Sequence, residues 1–488
     1  MDQNNQNRGG LRYVDWFTVV IYVAMIVAGA FSIYAASYDF DHASIFSFKE
    51  FSGKQMLWAG LSLVIGLVIL LIDYRLFETY AFPIYVGMLL VLVLTILIAP
   101  NIKGSHSWIV LGPVSLQPAE FAKFATALAL AKLFSGYNFT LNAQRINYVK
   151  AISIIFLPIL LILAQNETGS ALVYMSLFFV LYREGMSGFV LLAALAAVVF
   201  FVVAIKYSGF ILMGIPMGEV IVMILIMILM LWMVAAYARR PIEARNLLFW
   251  FVGTALVVTV LKFCNIVVNG YLYFGITLGF ALVYILAMHL FYRAKRMVHV
   301  ALSVGVSLIF LFSVNYAFNN VLQPHQQGRI RVALGLDEDL RGAGYNVNQS
   351  KIAIGSGGVF GKGFLNGTQT KLRYVPEQHT DFIYCTIGEE QGFMGSAAVL
   401  LAFVILILRI LSIAERQPTA FGRVYGYCVA SYMMFQICVN IGMVIGLCPV
   451  IGIPLPFFSY GGSSLWGFTI LLFILLRLDA SRRERLTN

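Results

Sequence analysis

Residues 376–409 read PEQHTDFIYCTIGEEQGFMGSAAVLLAFVILILR. The first half is polar and turn-rich. From Phe393 to Leu408 no side chain carries a charge, and Arg409 closes the run. A membrane-spanning helix needs about 20 apolar residues to cross roughly 30 Å of hydrocarbon. Runs of this kind recur near 15–37, 55–73, 79–99, 117–135, 148–165, 168–183, 187–206, 212–236, 246–264, 271–292, 298–319, 381–409, 423–447 and 460–477. The reading is an all-α polytopic membrane protein of about fourteen transmembrane helices. The run at 117–135 is the least apolar, because it carries Gln117, Glu120 and Lys123. Composition agrees: of 488 residues 60% are hydrophobic and 11% charged, against roughly 25% charged in soluble domains.

The net charge of +11 follows the loops. Alternate loops collect the basic residues: Arg8 and Arg12, Arg75, Lys132 to Lys150, Arg183, Arg239 to Arg245, Arg293 to Arg296, Arg409 to Arg423 and Arg477 to Arg485. The opposite loops and span ends hold only Lys49, Lys54, Lys103, Lys206 and Lys262. The positive-inside rule therefore puts both termini in the cytoplasm, and the basic balance reports topology, not nucleic-acid binding. The first apolar run is too long for a cleavable signal and reads as a signal anchor. Cys264, Cys385, Cys428, Cys438 and Cys448 form no C-x-x-C pair and sit in or beside apolar runs, so packing is their expected role.

The whole chain, 1–488, reads as one membrane-embedded domain. A large loop at 320–380 lies on the extracytoplasmic face, with a short helix expected over Tyr345 to Ile354 and irregular glycine-rich backbone after it. A loop that long is usually functional. Segments 101–124 and 448–464 share its Gly/Pro-punctuated polarity. Irregular backbone at membrane depth survives only where protein or a wet cavity satisfies it, so the three segments are expected to converge on one cavity. Internal repeats, the mark of many transporters, are not evident.

Ionisable residues within spans are costly and therefore informative. Glu120 and Lys123, at i and i+3, share a helix face and can form a local ion pair. Glu167 lies at a span end, where snorkelling is the alternative to a role. Glu219 and Lys262 read as structural or as partners of each other, and Glu389 as a packing carboxylate. Asp381 stands where the loop becomes a span, which suits either a helix cap or a functional carboxylate. His379 beside it is a base or a hydrogen-bonding strut. Soluble nucleotide chemistry is excluded: a Walker A loop would need Gly at Ser356 and Ser or Thr at Gly363. The six His and five Cys show no metal-ligand spacing.

Several stretches together resemble a known family. They are KGSHSWIVLG at 103–112, QPAEFAK at 117–123, QNETG at 165–169, GAGYNVNQSKIAIGSGGVFGKGFLNGTQ at 342–369, PEQHTDFIYCTIGEEQGFMG at 376–395 and NIGMVIGLCPVIGIPLPFFSYGGSS at 440–464. In this order they resemble the SEDS family (shape, elongation, division and sporulation), and within it the RodA branch. The resemblance implies a ten-helix core, so the 187–320 region holds about four inserted helices. An even insertion leaves the large loop on the outer face.

The resemblance further implies an inverting peptidoglycan glycosyltransferase of the bacterial inner membrane. It would polymerise lipid II during elongation and shape maintenance, alongside a class B penicillin-binding transpeptidase and other elongation-complex membrane proteins. The family's essential aspartate falls on Asp381 and its paired lysine on Lys123. Gln117, Glu120, Glu167, Trp108, Glu377, His379, Ser459 and Tyr460 become candidates for substrate binding. So do the cations Arg341, Lys351, Lys362, Lys371 and Arg373, with a bound Mg²⁺ or Mn²⁺ as an alternative counter-charge for pyrophosphate. Two departures stand out: Ser107 replaces an arginine of the family, and Glu167 sits in QNETG where the family has an aspartate. The rival readings are a flippase or transporter of the lipid-linked precursor and a non-enzymatic scaffold for the wall-synthesis complex.

Overall fold

The computed structural model describes residues 13–38, 50–102, 104–112, 114–322, 324–336 and 344–487. Arg8, Arg12, Lys49, Lys103 and Arg341 lie outside the described residues. Among the described residues twelve helices are long and apolar enough to cross a membrane. The other two expected segments are also helical but shorter: Pro118–Phe134 has 17 residues, and Thr168–Arg183 is two short turns of helix meeting near Ser176. The chain forms a multi-pass helical membrane protein, and it divides into two compact units, Met1–Gly188 with Leu340–Asn488, and Phe189–Asp339.

In the first unit the centre is held by the helices Pro118–Phe134, Ala420–Val444 and Gly462–Thr487. Around them pack Trp16–Ser37, Phe51–Leu71, Ala81–Ile98, Arg145–Ala164 and Ile383–Glu415. Tyr22 shows how the centre is fixed. It is fully buried, its ring meets Phe457 and Phe473 edge-on, and its hydroxyl reaches Thr469 at 2.8 Å and Ser62 at 3.2 Å. An aromatic with a polar tip stabilises a core only when that tip finds a partner. One end of the unit is laced by ion pairs, Arg423 to Glu184 at 3.0 Å, Arg409 to Asp15 at 2.8 Å and Lys132 to Glu78 at 3.2 Å, together with Arg416 and Asp479.

The polar segments sit at the other end. Tyr345–Ser356 is the expected short helix, and the glycine-rich stretch after it is irregular. Ile109–Leu111 and Val114–Leu116 form a small antiparallel hairpin, which the sequence reading did not separate from loop. The helix Ile383–Glu415 is interrupted at Gly392, whose φ of 67° and ψ of −161° belong to glycine alone. At that break the backbone of 357–363 lies directly on 388–394. Lys362 N donates to Glu389 O at 3.0 Å, Gly363 N to Glu390 O at 2.9 Å, and Phe393 N to Gly358 O at 2.9 Å. A Cβ on Gly361 or on Gly392 would collide with the opposing main chain. These glycines permit contact between two protein backbones.

The second unit contains Met217–Trp232, Pro241–Phe263, Gly270–Tyr292 and Lys295–Tyr316, preceded by most of Gly188–Lys206. Its apolar core gathers around Val222, Ile226, Met230, Leu278, Ile285 and Leu311. Glu219, 3% exposed, accepts from Tyr271 Oη at 2.9 Å and from Asn315. This fits the structural role expected for it. Lys262 is exposed at the end of its helix.

Candidate functional site

Gln117 stands at the N-cap position of the helix Pro118–Phe134, with Pro118 at its first position and Glu120 in its first turn, where a carboxylate suits the helix dipole. One turn on, Lys123 is fully buried. Its Nζ lies 2.8 Å from Glu120 Oε1, donates to Gln436 Oε1 at 2.9 Å, and stands 4.6 Å from the centre of the Phe468 ring. The i, i+3 ion pair read from the sequence is present, and Gln436 carries it further. Gln436 Nε2 donates to Pro454 O at 2.9 Å.

One turn beyond Gln436 on the helix Ala420–Val444, Asn440 Nδ2 donates to Ile453 O at 2.6 Å and to Asp381 O at 2.8 Å. Gly452 then lies against the aspartate: a Cβ there would be 3.3 Å from Asp381 Oδ2. The lysine and the aspartate are therefore connected through two amide side chains and the 452–454 backbone. Asp381 precedes the helix beginning at Ile383, and Phe382 takes the cap position.

Ser459 and Tyr460 clamp the same two stretches. Ser459, 4% exposed, donates to Thr380 O at 2.7 Å and accepts from Leu455 N at 2.7 Å, and Tyr460 N donates to His379 O at 2.9 Å. The His379 ring stacks on Phe51 at 4.1 Å. Glu377 takes a left-handed φ of 55°, and Thr380 Oγ1 donates to its carbonyl at 3.1 Å and its carboxylate at 3.2 Å. Gln117 N donates to Ser463 Oγ at 3.0 Å, which ties in the third polar segment. The three segments expected to converge are thus joined through residues 452–463.

Glu167 is reached from the hairpin arm. Ser107 Oγ donates to its Oε2 at 3.0 Å and Ser105 Oγ at 3.1 Å, while His106 N donates to Gln165 O at 3.0 Å. Burial pushes the Glu167 carboxyl upward, against these serine hydroxyls. Ser107 thus gives this carboxylate a neutral donor. Trp108 follows, half-buried.

Of the loop cations, Lys362 is engaged by Glu389 at 2.7 Å and Thr368 at 2.7 Å. Glu389 also accepts from Gln369 N at 2.9 Å, Thr370 N at 2.9 Å and Thr370 Oγ1 at 2.7 Å. It organises residues 362–371: the sequence pointed to a helix-packing carboxylate, and the structure shows one that anchors the loop. Lys351 is exposed and lies against Gly446. Arg373 lines a cavity of about 200 Å³ with Glu50, Phe51, Glu377 and His379. Lys371 is half-exposed beside it in sequence. Among the described residues no group of three or more His, Cys, Asp or Glu side chains is placed to hold a metal ion, and no step below runs through one.

Gln436 and Asn440 escaped the sequence reading, which searched the spans for charge. The signal available was two amides four residues apart in an apolar run.

A multi-pass helical protein with a buried lysine and a loop-end aspartate joined in this way defines a class, and comparison places the chain within it. The family model for the cell cycle proteins FtsW, RodA and SpoVE matches residues 15–217 and 225–484. The chain belongs to this family. It is 32% identical over 475 residues to peptidoglycan glycosyltransferase RodA of Treponema pallidum, covering 96% of this chain and 98% of that one. It is 29% identical over 454 residues to peptidoglycan glycosyltransferase MrdB of Escherichia coli K12, covering 93% and 90%. Among solved structures, a chain from a peptidoglycan synthase complex described as coordinating polymerization and crosslinking superposes with a TM-score of 0.59 at 22% identity, covering 96% and 98%. Thermus thermophilus RodA superposes with a TM-score of 0.54 at 21% identity, covering 96% and 97%. At these identities the structural likeness concerns the fold.

Proposed function

We propose that this chain is a peptidoglycan glycosyltransferase that polymerises lipid II in the bacterial cytoplasmic membrane. The loop charges support a reading in which both termini lie in the cytoplasm and the Asp381 end faces outward. The acceptor's GlcNAc 4-hydroxyl attacks the anomeric carbon of the donor's MurNAc. The new O4–C1 bond forms as the bond from C1 to the pyrophosphate oxygen breaks, so undecaprenyl pyrophosphate leaves and the carbon inverts. Inversion calls for a base on the face opposite the leaving group, the arrangement that inverting glycosidases use for water.

Asp381 is that base and takes the hydroxyl proton. The observation that carries this reading is its setting: the H-T-D-F aspartate, its carbonyl held by Asn440 and its carboxylate beside Gly452. Lys123, with Glu120, places a buried cation at the other end of the same connection. Lys351, Lys371 and Arg373 are the loop cations we assign to the pyrophosphate, where developing negative charge needs a positive partner. Lys362 is assigned to holding the loop through Glu389. A class B penicillin-binding transpeptidase is the proposed partner, in line with the synthase complex whose chain shares this fold.

The test is strand formation from lipid II by the purified protein with its transpeptidase. Asp381→Asn should insert and assemble normally yet form no glycan strands. A variant polymerising near the wild-type rate would falsify the base assignment, and unchanged growth of cells carrying it would favour a scaffold.

A further inference from the structure

We propose that Gln436 and Asn440 are positioning residues for this reaction, setting the wall against which the Asp381 carboxylate works. The proposal rests on the assignment of Asp381 and Lys123 above. The two amides lie four residues apart, so they share one face of the helix Ala420–Val444. Both are fully buried. Between them they make four hydrogen bonds: Lys123 Nζ to Gln436 Oε1, Gln436 Nε2 to Pro454 O, and Asn440 Nδ2 to Ile453 O and Asp381 O.

The chemistry requires amides. The 452–456 stretch contains Pro454 and Pro456, so its backbone is short of donors and cannot extend a regular ladder. Its carbonyls at 453 and 454 are left to side-chain donors, and a buried carbonyl without one is costly. Gln436 has to accept from an ammonium and donate to a carbonyl at once. An amide does both, a carboxylate only the first, and an alkyl chain neither. Gly452 is one residue before the pinned carbonyls, and any side chain there would press on Asp381 Oδ2. A shift of the 452–454 backbone therefore moves the immediate surroundings of the proposed base. Displacements of about 1 Å at a reacting group can cost on the order of 100-fold in rate.

The experiment uses the full chain with its transpeptidase partner in lipid bilayers, lipid II as substrate, and thermal melting as a parallel readout. Gln436→Met fills the same space without polar atoms. It should lower kcat by about tenfold or more while KM stays within about threefold, with a fall in melting point from the stranded Pro454 carbonyl that does not by itself account for the loss of kcat. Gln436→Glu keeps the acceptor for Lys123 and should recover part of that loss. Asn440→Leu should behave like Gln436→Met, and the double variant should lose little more than the worse single one, since both amides hold one stretch of backbone. Should Asn440→Leu fail to fold, the two Gln436 variants decide alone. A Gln436→Met enzyme within about twofold of wild-type kcat, or one impaired only through KM or melting, overturns the proposal. Asp381→Asn measured alongside separates the two failures. If it is active the base assignment falls, and if it is inactive while Gln436→Met is not, only the positioning role falls.

Discussion

Two helices of similar apolarity have opposite surroundings. In Gly462–Arg482 of the first unit, 83% of the most apolar stretch is buried, whereas in Pro241–Phe263 of the second unit the share is 11%. Hydropathy alone does not distinguish a helix at the centre of a bundle from one at its lipid-facing edge. What separates them is polar content with partners. The centre of the first unit holds Lys123, Glu120, Gln436 and Asn440, all with hydrogen-bond partners, and Lys123 to Gln436 crosses between two helices. Among the described residues the second unit buries one carboxylate, Glu219, bonded to two neutral groups beside a mainly apolar core. Polar groups inside a membrane are expensive, so their concentration in one unit supports placing the proposed chemistry there.

The sharpest way to break this contrast is to remove one charge from each unit. Lys123→Met strands Glu120 in a fully buried place, and breaking a buried pair from one side costs about 3–5 kcal/mol. Strand formation should be lost and the melting point should fall markedly. Glu219→Gln keeps the hydrogen-bonding shape, since an amide can still meet Tyr271 and Asn315. Its cost should be about 1 kcal/mol or less, with polymerisation retained in the lipid II assay. Equal loss of activity in both variants would remove the division of labour.

The Glu389 cluster gives the next effect. Glu389→Gln removes the charge that five donors share, from Lys362, Thr368, Gln369 and Thr370. A hydrogen bond to a charged group contributes about 1.5–3 kcal/mol. Limited proteolysis should then cut residues 362–371 faster, while helices of the second unit remain protected. Cleavage unchanged from wild type would show that Glu389 does not hold the loop.

Glycines sharpen the comparison further. Gly392→Ala places a side chain at a φ of 67° against the 359–361 backbone. Backbone strain of this kind costs about 1–3 kcal/mol before the clash is counted. In the second unit Gly279 is helical with open space where a Cβ would go. Gly279→Ala should be neutral or stabilising by at most about 1 kcal/mol, read as the melting point in the same bilayer.

How much of this the sequence discloses depends on the kind of signal. Apolar length is additive along the chain, so all fourteen segments were legible, including the weak one around Glu120 and Lys123. The ion pair was legible because i, i+3 spacing is local. The glycine-rich backbone after Ile354 was legible as irregular, but not that Gly357 meets the 388–389 backbone, a partner about 30 residues away that no local pattern reveals. Lys362 was grouped with the phosphate-binding cations for the same reason: its neighbour in space, Glu389, is distant in sequence. Neutral amides such as Gln436 and Asn440 carry no charge to flag them, and only the fold shows that they join Lys123 to Asp381.

The smallest effect belongs to the ion pairs at the opposite end of the first unit, and they calibrate the rest. Arg183 and Glu415 approach to 3.2 Å with both side chains 56% exposed. Tyr427 Oη also donates to Glu415 Oε1 at 2.6 Å, so the carboxylate keeps a partner when the arginine goes. Exposed pairs contribute about 0–1 kcal/mol and weaken with salt. Arg183→Gln should therefore shift the melting point slightly at low ionic strength, less at high, and leave strand formation unchanged. Direct ion pairs thus carry different weight at the two ends of one bundle, because burial at Lys123 removes the water that would otherwise solvate either partner. A large, salt-insensitive loss in Arg183→Gln would mean that the two ends are coupled and that burial alone does not set the scale.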